Sequence, residues 1–196
     1  MKSIRLFLAG PLLAASTLAC ATTTGLSDSA ENSFIDFYFR GQSWTAPATQ
    51  YLGLTTETCS DSSNGTEPSS GSYARVSVTS SLANWAGTQS SGSTTASTGT
   101  GGTTSNNGAV TFPTSTGAWA SSANLQAVRS YSASSSGTML WCIDLTSPIA
   151  VTASGFTLSF SAGSLQFTRA SPGRQAPLCA PWPADATGLT RWRRQT

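Results

Sequence analysis

Short segments in which apolar and polar residues alternate make up most of the chain from residue 47 to residue 167. The clearest is 156–160, where Phe156, Leu158 and Phe160 alternate with Thr157 and Ser159. A period of two places the apolar side chains on one face of a strand, toward a core. The predicted strands are 47–55, 73–82, 109–112, 124–131, 138–145, 149–153, 156–160 and 164–167. About eight short strands predict an all-β domain, an antiparallel β-sandwich or a jelly-roll-like fold.

One segment before the strands has a helical pattern instead. Asp28 followed by Glu31 fits a capping box, with Leu26 placed as a hydrophobic staple and Gly41 as the C-terminal stop. A helix of about fourteen residues is marginal alone, so its apolar face is expected to pack on the domain. That face comprises Phe34, Ile35, Phe37 and Tyr38.

The segment 88–108 has no apolar period. Of its 21 residues, 12 are Ser or Thr and five are Gly. Such a composition buries little apolar surface, so the segment is predicted to be a loop at the surface of the domain.

Both ends of the chain differ from its middle. Residues 1–24 combine a basic start, an apolar run and an Ala-x-Ala site ending at Ala21, the pattern of a cleaved signal peptide. The alternative is an upstream start codon, with the working chain beginning near Gly25. Residues 169–196 contain four prolines and five arginines, which is typical of a flexible tail. Two other interpretations of this segment are a cationic arm that contacts an acidic partner or lipid, and read-through into unrelated sequence. The predicted domain is therefore 25–168.

The distribution of charge argues against binding of nucleic acid. The whole chain has a formal net charge of +2. Residues 25–168 contain three arginines and seven carboxylates, a net charge of about −4. A nucleic-acid-binding domain concentrates cations on its folded part, and this one does not. The apolar run near the N-terminus is also too short to span a bilayer.

The residue types present favour a protein without catalysis. The chain has no histidine, and its single lysine is Lys2. Histidine-based triads, histidine metal sites and Schiff-base chemistry are therefore excluded, and no nucleotide-binding or hydrolase motif occurs. Acidic residues in a turn-rich segment are more typical of a solvated loop than of a glycosidase pair or a calcium site. The sequence predicts no enzyme activity, no cofactor and no metal. The acidic residues weighed as a glycosidase pair are Glu57, Asp61, Glu67 and Asp144.

Cleavage after Ala21 would leave three cysteines, Cys59, Cys142 and Cys179. A disulfide between Cys59 and Cys142 is one interpretation. The one we favour from the sequence is a buried Cys142 in a strand and an unpaired Cys59 in a loop. No C-x-x-C motif supports a zinc site.

Two tryptophans are the candidate contact residues. Trp141 shares a strand face with Met139 and Ile143, which favours a place in the core. Trp44 and Trp85 lie beside turn-forming residues, where an exposed indole could contact a host-surface glycan.

Several phrases in a fixed order resemble small bacteriophage virion proteins of the tail-fibre type, some of them like capsid decoration (cement) proteins. The phrases are 47–54 (PATQYLGL), 71–76 (GSYARV), 106–113 ending in VTFP, then Trp119, and 160–165 (FSAGSL). The likeness covers about 25–168 and includes the preceding helix. It implies an all-β, multimeric, non-catalytic virion protein whose partners are other virion proteins and copies of itself. A signal peptide departs from this pattern, because virion proteins assemble in the cytoplasm.

Two functions follow as hypotheses. The first is a structural component of the virion that acts through β-rich surface contacts and self-association. The alternative is an exported cell-surface or lectin-like module, secreted after cleavage following Ala21, that binds glycans through Trp44, Trp85 and loop residues.

Overall fold

The computed structural model describes residues 24–120 and 123–169 as nine β-strands and one α-helix. The helix, α1, spans Asp28–Phe39. All strand pairings are antiparallel, which confirms the predicted all-β class with one N-terminal helix. The strands are β1 (Thr24–Leu26), β2 (Thr49–Thr55), β3 (Val76–Thr79), β4 (Thr103–Ser105), β5 (Val110–Thr111), β6 (Leu125–Tyr131), β7 (Met139–Ile149), β8 (Ser159–Phe160) and β9 (Gln166–Thr168).

Five strands form a central sheet in the order β1-β7-β6-β2-β3. Leu54, Val128 and Ile143 are neighbours across its three middle strands and belong to one buried core. We call this the inner face of the sheet. Alternation of side chains places the residues between them on the opposite, outer face.

Two small sheets complete the core on the inner face. The pairs β4–β9 and β5–β8 contribute Phe167 and Phe160 to the same apolar cluster as the central sheet, and Phe112, directly after β5, joins them. The ring of Phe112 lies 6.2 Å from those of both Trp119 and Phe160. Sheets that bury a shared apolar layer between them form a sandwich, as the strand spacing predicted.

The outer face is covered by the loop 56–66, which we call the outer loop. Arg129 of β6 is fully buried beneath it. Its guanidinium donates to Thr55 Oγ1 at 3.0 Å, to the Thr58 carbonyl at 2.7 Å and to the Ser63 carbonyl at 2.5 Å. A buried cation surrounded by oxygen acceptors satisfies the rule that buried polar groups are hydrogen-bonded.

A disulfide is a second link between the outer loop and the central sheet. Cys59 is bonded to Cys142 of β7, and the Cys59 amide donates to Asp144 Oδ1 at 2.6 Å. The interpretation favoured from the sequence, an unpaired Cys59, is therefore wrong. Periodicity could not show the pairing, because it comes from a loop that folds back over the sheet.

The helix begins one residue earlier than the sequence predicts. Its N-cap is Ser27, whose Oγ accepts from the Ala30 amide at 3.2 Å and donates to the Met139 carbonyl at 2.6 Å. The capping box at Asp28 is therefore wrong by one position. Leu26 lies in β1, pairs with Trp141 and packs on the core. Gly41 follows the helix with a φ of 66°, which suits a glycine at a helix end.

Most predicted strands are present but shorter. The segment 149–153 is not a separate strand, because β7 continues to Ile149 and ends there. The sequence missed β1, and it missed β4, which lies inside the segment 88–108 predicted to be a loop. Phe156 was expected to face the core, yet it is 40% exposed.

The proposed signal peptide and tail fall almost wholly outside the described residues. The division of the chain at residues 24 and 169 therefore remains a prediction. In the described part, no helix is long and apolar enough to cross a membrane.

Candidate functional site

A pocket of about 480 Å³ lies where the inner face of the central sheet meets strands β4 and β9. Its volume falls within the range of small-molecule sites, roughly 300–1,000 Å³. Its walls come from β2, β4, β7, β9 and the segment that follows β3. The lining residues are Gln50, Ser80, Ser81, Leu82, Trp85, Ala86, Gly87, Ser97, Thr104, Trp141 and Phe167.

Three aromatic rings form the apolar part of the pocket. The Trp85 ring meets the Trp141 ring edge to face at 5.9 Å, and Trp141 lies 6.0 Å from Phe167. Trp141 is almost fully buried, whereas Trp85 and Phe167 are half-buried. Flat, partly exposed rings offer a surface on which an apolar ligand face can stack.

One amide orients the polar side of the pocket. Gln50 Oε1 accepts from the Trp141 indole N–H at 2.7 Å and from Ser130 Oγ at 3.0 Å. Its Nε2 donates to Ser80 Oγ at 3.2 Å. An amide nitrogen carries two hydrogens, so one donor remains beside the rings. The indole hydrogen bond fixes Trp141 in its orientation.

The Ser/Thr/Gly segment supplies one wall of the pocket and is ordered by its own side chains. Gln89 Nε2 donates to Ser93 Oγ at 2.5 Å and Thr95 Oγ1 at 2.9 Å, while its Oε1 accepts from the Thr98 amide at 3.1 Å. Thr104 Oγ1 donates to the Ala86 carbonyl at 2.8 Å. Hydrogen bonds made by polar side chains thus give this segment a fixed shape without an apolar core of its own.

None of the described residues that line the pocket has an ionisable side chain, and the carboxylates weighed from the sequence lie elsewhere. Glu67 pairs with Arg75 and accepts from the Tyr73 hydroxyl at 2.8 Å. Burial, followed by the Glu67 charge, raises the pKa of Tyr73. The hydrogen bond from Thr66 lowers the pKa of Glu57.

The remaining two carboxylates are also apart from the pocket: Asp144 holds the Cys59 amide, and Asp61 is exposed. Among residues 24–120 and 123–169, no three His, Cys, Asp or Glu side chains group as metal ligands would.

The two tryptophans predicted as contact residues are not brought together. Trp85 lines the pocket, and its half-buried ring leaves the indole N–H buried without an acceptor in the described structure. Trp44 is 39% exposed and does not line the pocket. Sequence reasoning missed Gln50 and Phe167, because their role comes from strand pairing between distant segments. The alternation of 47–55 places Gln50 on the same strand face as Leu52 and Leu54. This pattern was the one sequence feature that could have indicated a position for Gln50 beside the core.

A second exposed feature lies on α1. Ala30 is its only buried residue among those described, while Ile35, Phe37, Tyr38 and Phe39 are between 46% and 70% exposed. The expectation that this apolar face packs on the domain is therefore wrong for most of its length.

Residues 25–168 match the family described as podophage GP4 fiber I protein gp80. No curated protein matches the chain. The match confirms the fibre-type part of the resemblance found in the sequence and lends no support to capsid decoration.

Proposed function

Because the chain belongs to the podophage GP4 fiber I protein gp80 family, we propose that it acts in the virion as a non-enzymatic binding component of a fibre. Its partners are other virion proteins, copies of itself and a neutral saccharide on the host surface. Membership of the family makes it a phage virion fibre-type protein; the binding role is the proposal.

The pocket beside Trp85 carries the saccharide part of the proposal. A pyranose ring has an apolar face that stacks on aromatic rings and an edge of hydroxyls that bond to amides and hydroxyls. Trp85 and Phe167 supply the rings, while Gln50 and Thr104 supply polar groups within the same lining. The lining residues that the structure describes are all uncharged, so a neutral sugar fits better than a sialylated or phosphorylated one.

The lining also favours binding over turnover. Hydrolysis of a glycoside requires two carboxyl groups beside the scissile bond. Glu67 is paired with Arg75, and Asp144 is bonded to the outer loop, so neither lies in the lining.

Retention on a panel of neutral and acidic oligosaccharides tests this site. The substitution S81W places a large side chain at an exposed lining position and is expected to abolish retention of neutral glycans without disturbing the core. W85A removes the ring that packs on Trp141 and is also expected to abolish retention of neutral glycans. W44A is the matched control, because Trp44 is exposed but outside the pocket, and it should retain binding.

Binding that survives both S81W and W85A, or that is lost in W44A alone, would refute the pocket as the site. Mass spectrometry of purified particles tests the virion role separately, and absence of the protein would refute it. The exported alternative is tested by N-terminal sequencing of the mature protein, where a start at Thr22 would favour it.

A further inference from the structure

The last two turns of α1 present an unusually wide apolar surface. At about 100° per residue, Phe37, Phe34, Tyr38, Ile35 and Phe39 occupy a continuous arc of about 200° around the helix axis. A helix that faces one core needs an apolar stripe of about 100°. One flat neighbour therefore covers only about half of this arc.

The domain itself covers little of the arc. The helix is attached at its first turn, where the Ser27 amide donates to the Leu140 carbonyl at 3.0 Å and the Asp28 amide donates to the Asp61 carbonyl at 3.0 Å. The Arg169 guanidinium lies 4.2 Å from the centre of the half-buried Phe34 ring. Apart from these contacts, the described part of the chain leaves the side chains of Ile35, Phe37, Tyr38 and Phe39 largely exposed.

The exposed area forms a substantial part of a specific interface. Exposed fractions of 46% to 70% on Ile35, Phe37, Tyr38 and Phe39 correspond to about 470 Å², taking ~200 Å² for a large side chain. That is somewhat more than half of the ~800 Å² that each partner contributes to a stable interface. A twelve-residue helix gains most of its stability from packing, so a surface of this kind needs a cover.

The charges in these turns indicate what kind of partner fits. Asp36 and Arg40, on the side opposite the arc, neutralise one another at 2.8 Å. The arc itself carries no charge and already pairs aromatic with aromatic, since Phe34 stacks on Tyr38 at 5.8 Å and Tyr38 meets Phe39 at 5.0 Å. No charge selects a partner of opposite sign, so a surface of the same composition is the best complement.

We infer that α1 is the self-association element of this chain: in a closed assembly of three or more copies, each helix packs its uncharged aromatic arc between the helices of two neighbours. Two neighbours cover an arc that one cannot, and a closed ring provides two neighbours to every copy. This inference rests on the proposed assembly of the fibre from copies of the chain and names the surface that mediates it.

Light scattering coupled to size-exclusion chromatography of the full-length chain, at micromolar concentration, measures the assembly. The wild type is expected to have at least three times the mass of one chain. The triple variant F37Q/Y38Q/F39Q is expected to have the mass of one chain and to keep the β-sheet signal of the wild type in circular dichroism, because these side chains lie outside the core. The matched control F156Q removes an exposed aromatic from another part of the surface and should keep the wild-type mass.

A monomeric or dimeric wild type, or a triple variant that keeps the wild-type mass, would overturn the inference. So would a wild-type monomer that co-sediments with neutral phospholipid vesicles through the same three residues, since a lipid surface would then be the cover. An assembly that the triple variant loses supports the inference even if the protein is absent from particles, a result that would refute only the fibre role.

Discussion

Replacement of Arg129 by methionine tests whether the outer loop is held by a buried cation. Methionine keeps most of the apolar stem and removes the guanidinium, so the Thr58, Ser60 and Ser63 carbonyls and the Thr55 hydroxyl lose their donor. Hydrogen bonds to a charged group contribute roughly 1.5–3 kcal/mol each, but Thr58 and Ser63 lie in an exposed loop where water can replace the lost donor. Counting about 1 kcal/mol for each of the two better-buried bonds, to Thr55 and Ser60, gives a loss of about 2 kcal/mol.

Urea unfolding followed by tryptophan fluorescence measures this loss. With a slope of about 2 kcal/mol per M, the midpoint should fall by about 1 M. R40M is the matched control, because the Arg40 side chain is 70% exposed and pairs only with Asp36 on the helix surface. Its midpoint should change by less than about 0.3 M. A fall of less than about 0.5 M for R129M would refute the argument, since the cation would then contribute no more than a surface ion pair.

Three further changes probe other parts of the structure. The double substitution C59S/C142S opens a link between residues separated by 83 positions and should lower the free energy of unfolding by about 4 kcal/mol; reductant should have no effect on the variant. G53A places a Cβ 2.9 Å from Tyr131 Cε2 and 3.1 Å from the Tyr73 hydroxyl, and should destabilise the fold by about 1–3 kcal/mol in urea titrations; G25A, whose Cβ meets nothing within 4 Å, should not. Because the pKa of Glu57 is lowered in the fold from 4.5, its stabilisation is present at neutral pH and is lost as the pH falls through the folded pKa. The difference in melting temperature between wild type and E57Q should therefore shrink as the pH is lowered through the folded pKa of Glu57, and a difference that stays the same from neutral to strongly acidic pH would contradict the assignment.

Part of the strand pattern was predictable from sequence because β2 follows alternation. Leu52 and Leu54 could be assigned to a core from their spacing alone, whereas β6 holds both Leu125 and Val128 in the core across a register shift. The sequence could not show which segments pair, because pairings such as β4 with β9 join residues about sixty positions apart. Strand β4 is also made of Thr103, Thr104 and Ser105, which bear no apolar signal, and it is ordered by hydrogen bonds and by its partner.

The candidate site was predictable only in part, for the same reason. Trp85 could be selected as an aromatic residue beside a turn. Its neighbours Gln50, Trp141 and Phe167 come from three different strands, β2, β7 and β9, which meet only in the folded chain. The aromatic face of α1 shows a different error: the sequence predicted a contact with the domain that, among the described residues, is absent for most of the face. Its pattern correctly indicated a helix with an apolar surface, yet a single sequence does not say whether that surface is covered by its own domain or by another chain.

The two covers of the central sheet differ in kind, and this affects how each can open. The inner face is closed by aromatic and aliphatic side chains, whereas the outer loop is held by Arg129, a disulfide and backbone hydrogen bonds. Detachment of the outer loop exposes only the small apolar cluster of Tyr131 and Met139, so it has a smaller heat-capacity increment and a weaker dependence on denaturant than unfolding of the inner layer. Calorimetry would therefore register mainly the unfolding of the inner layer, while faster exchange of the Cys59 amide proton would report the earlier, local opening.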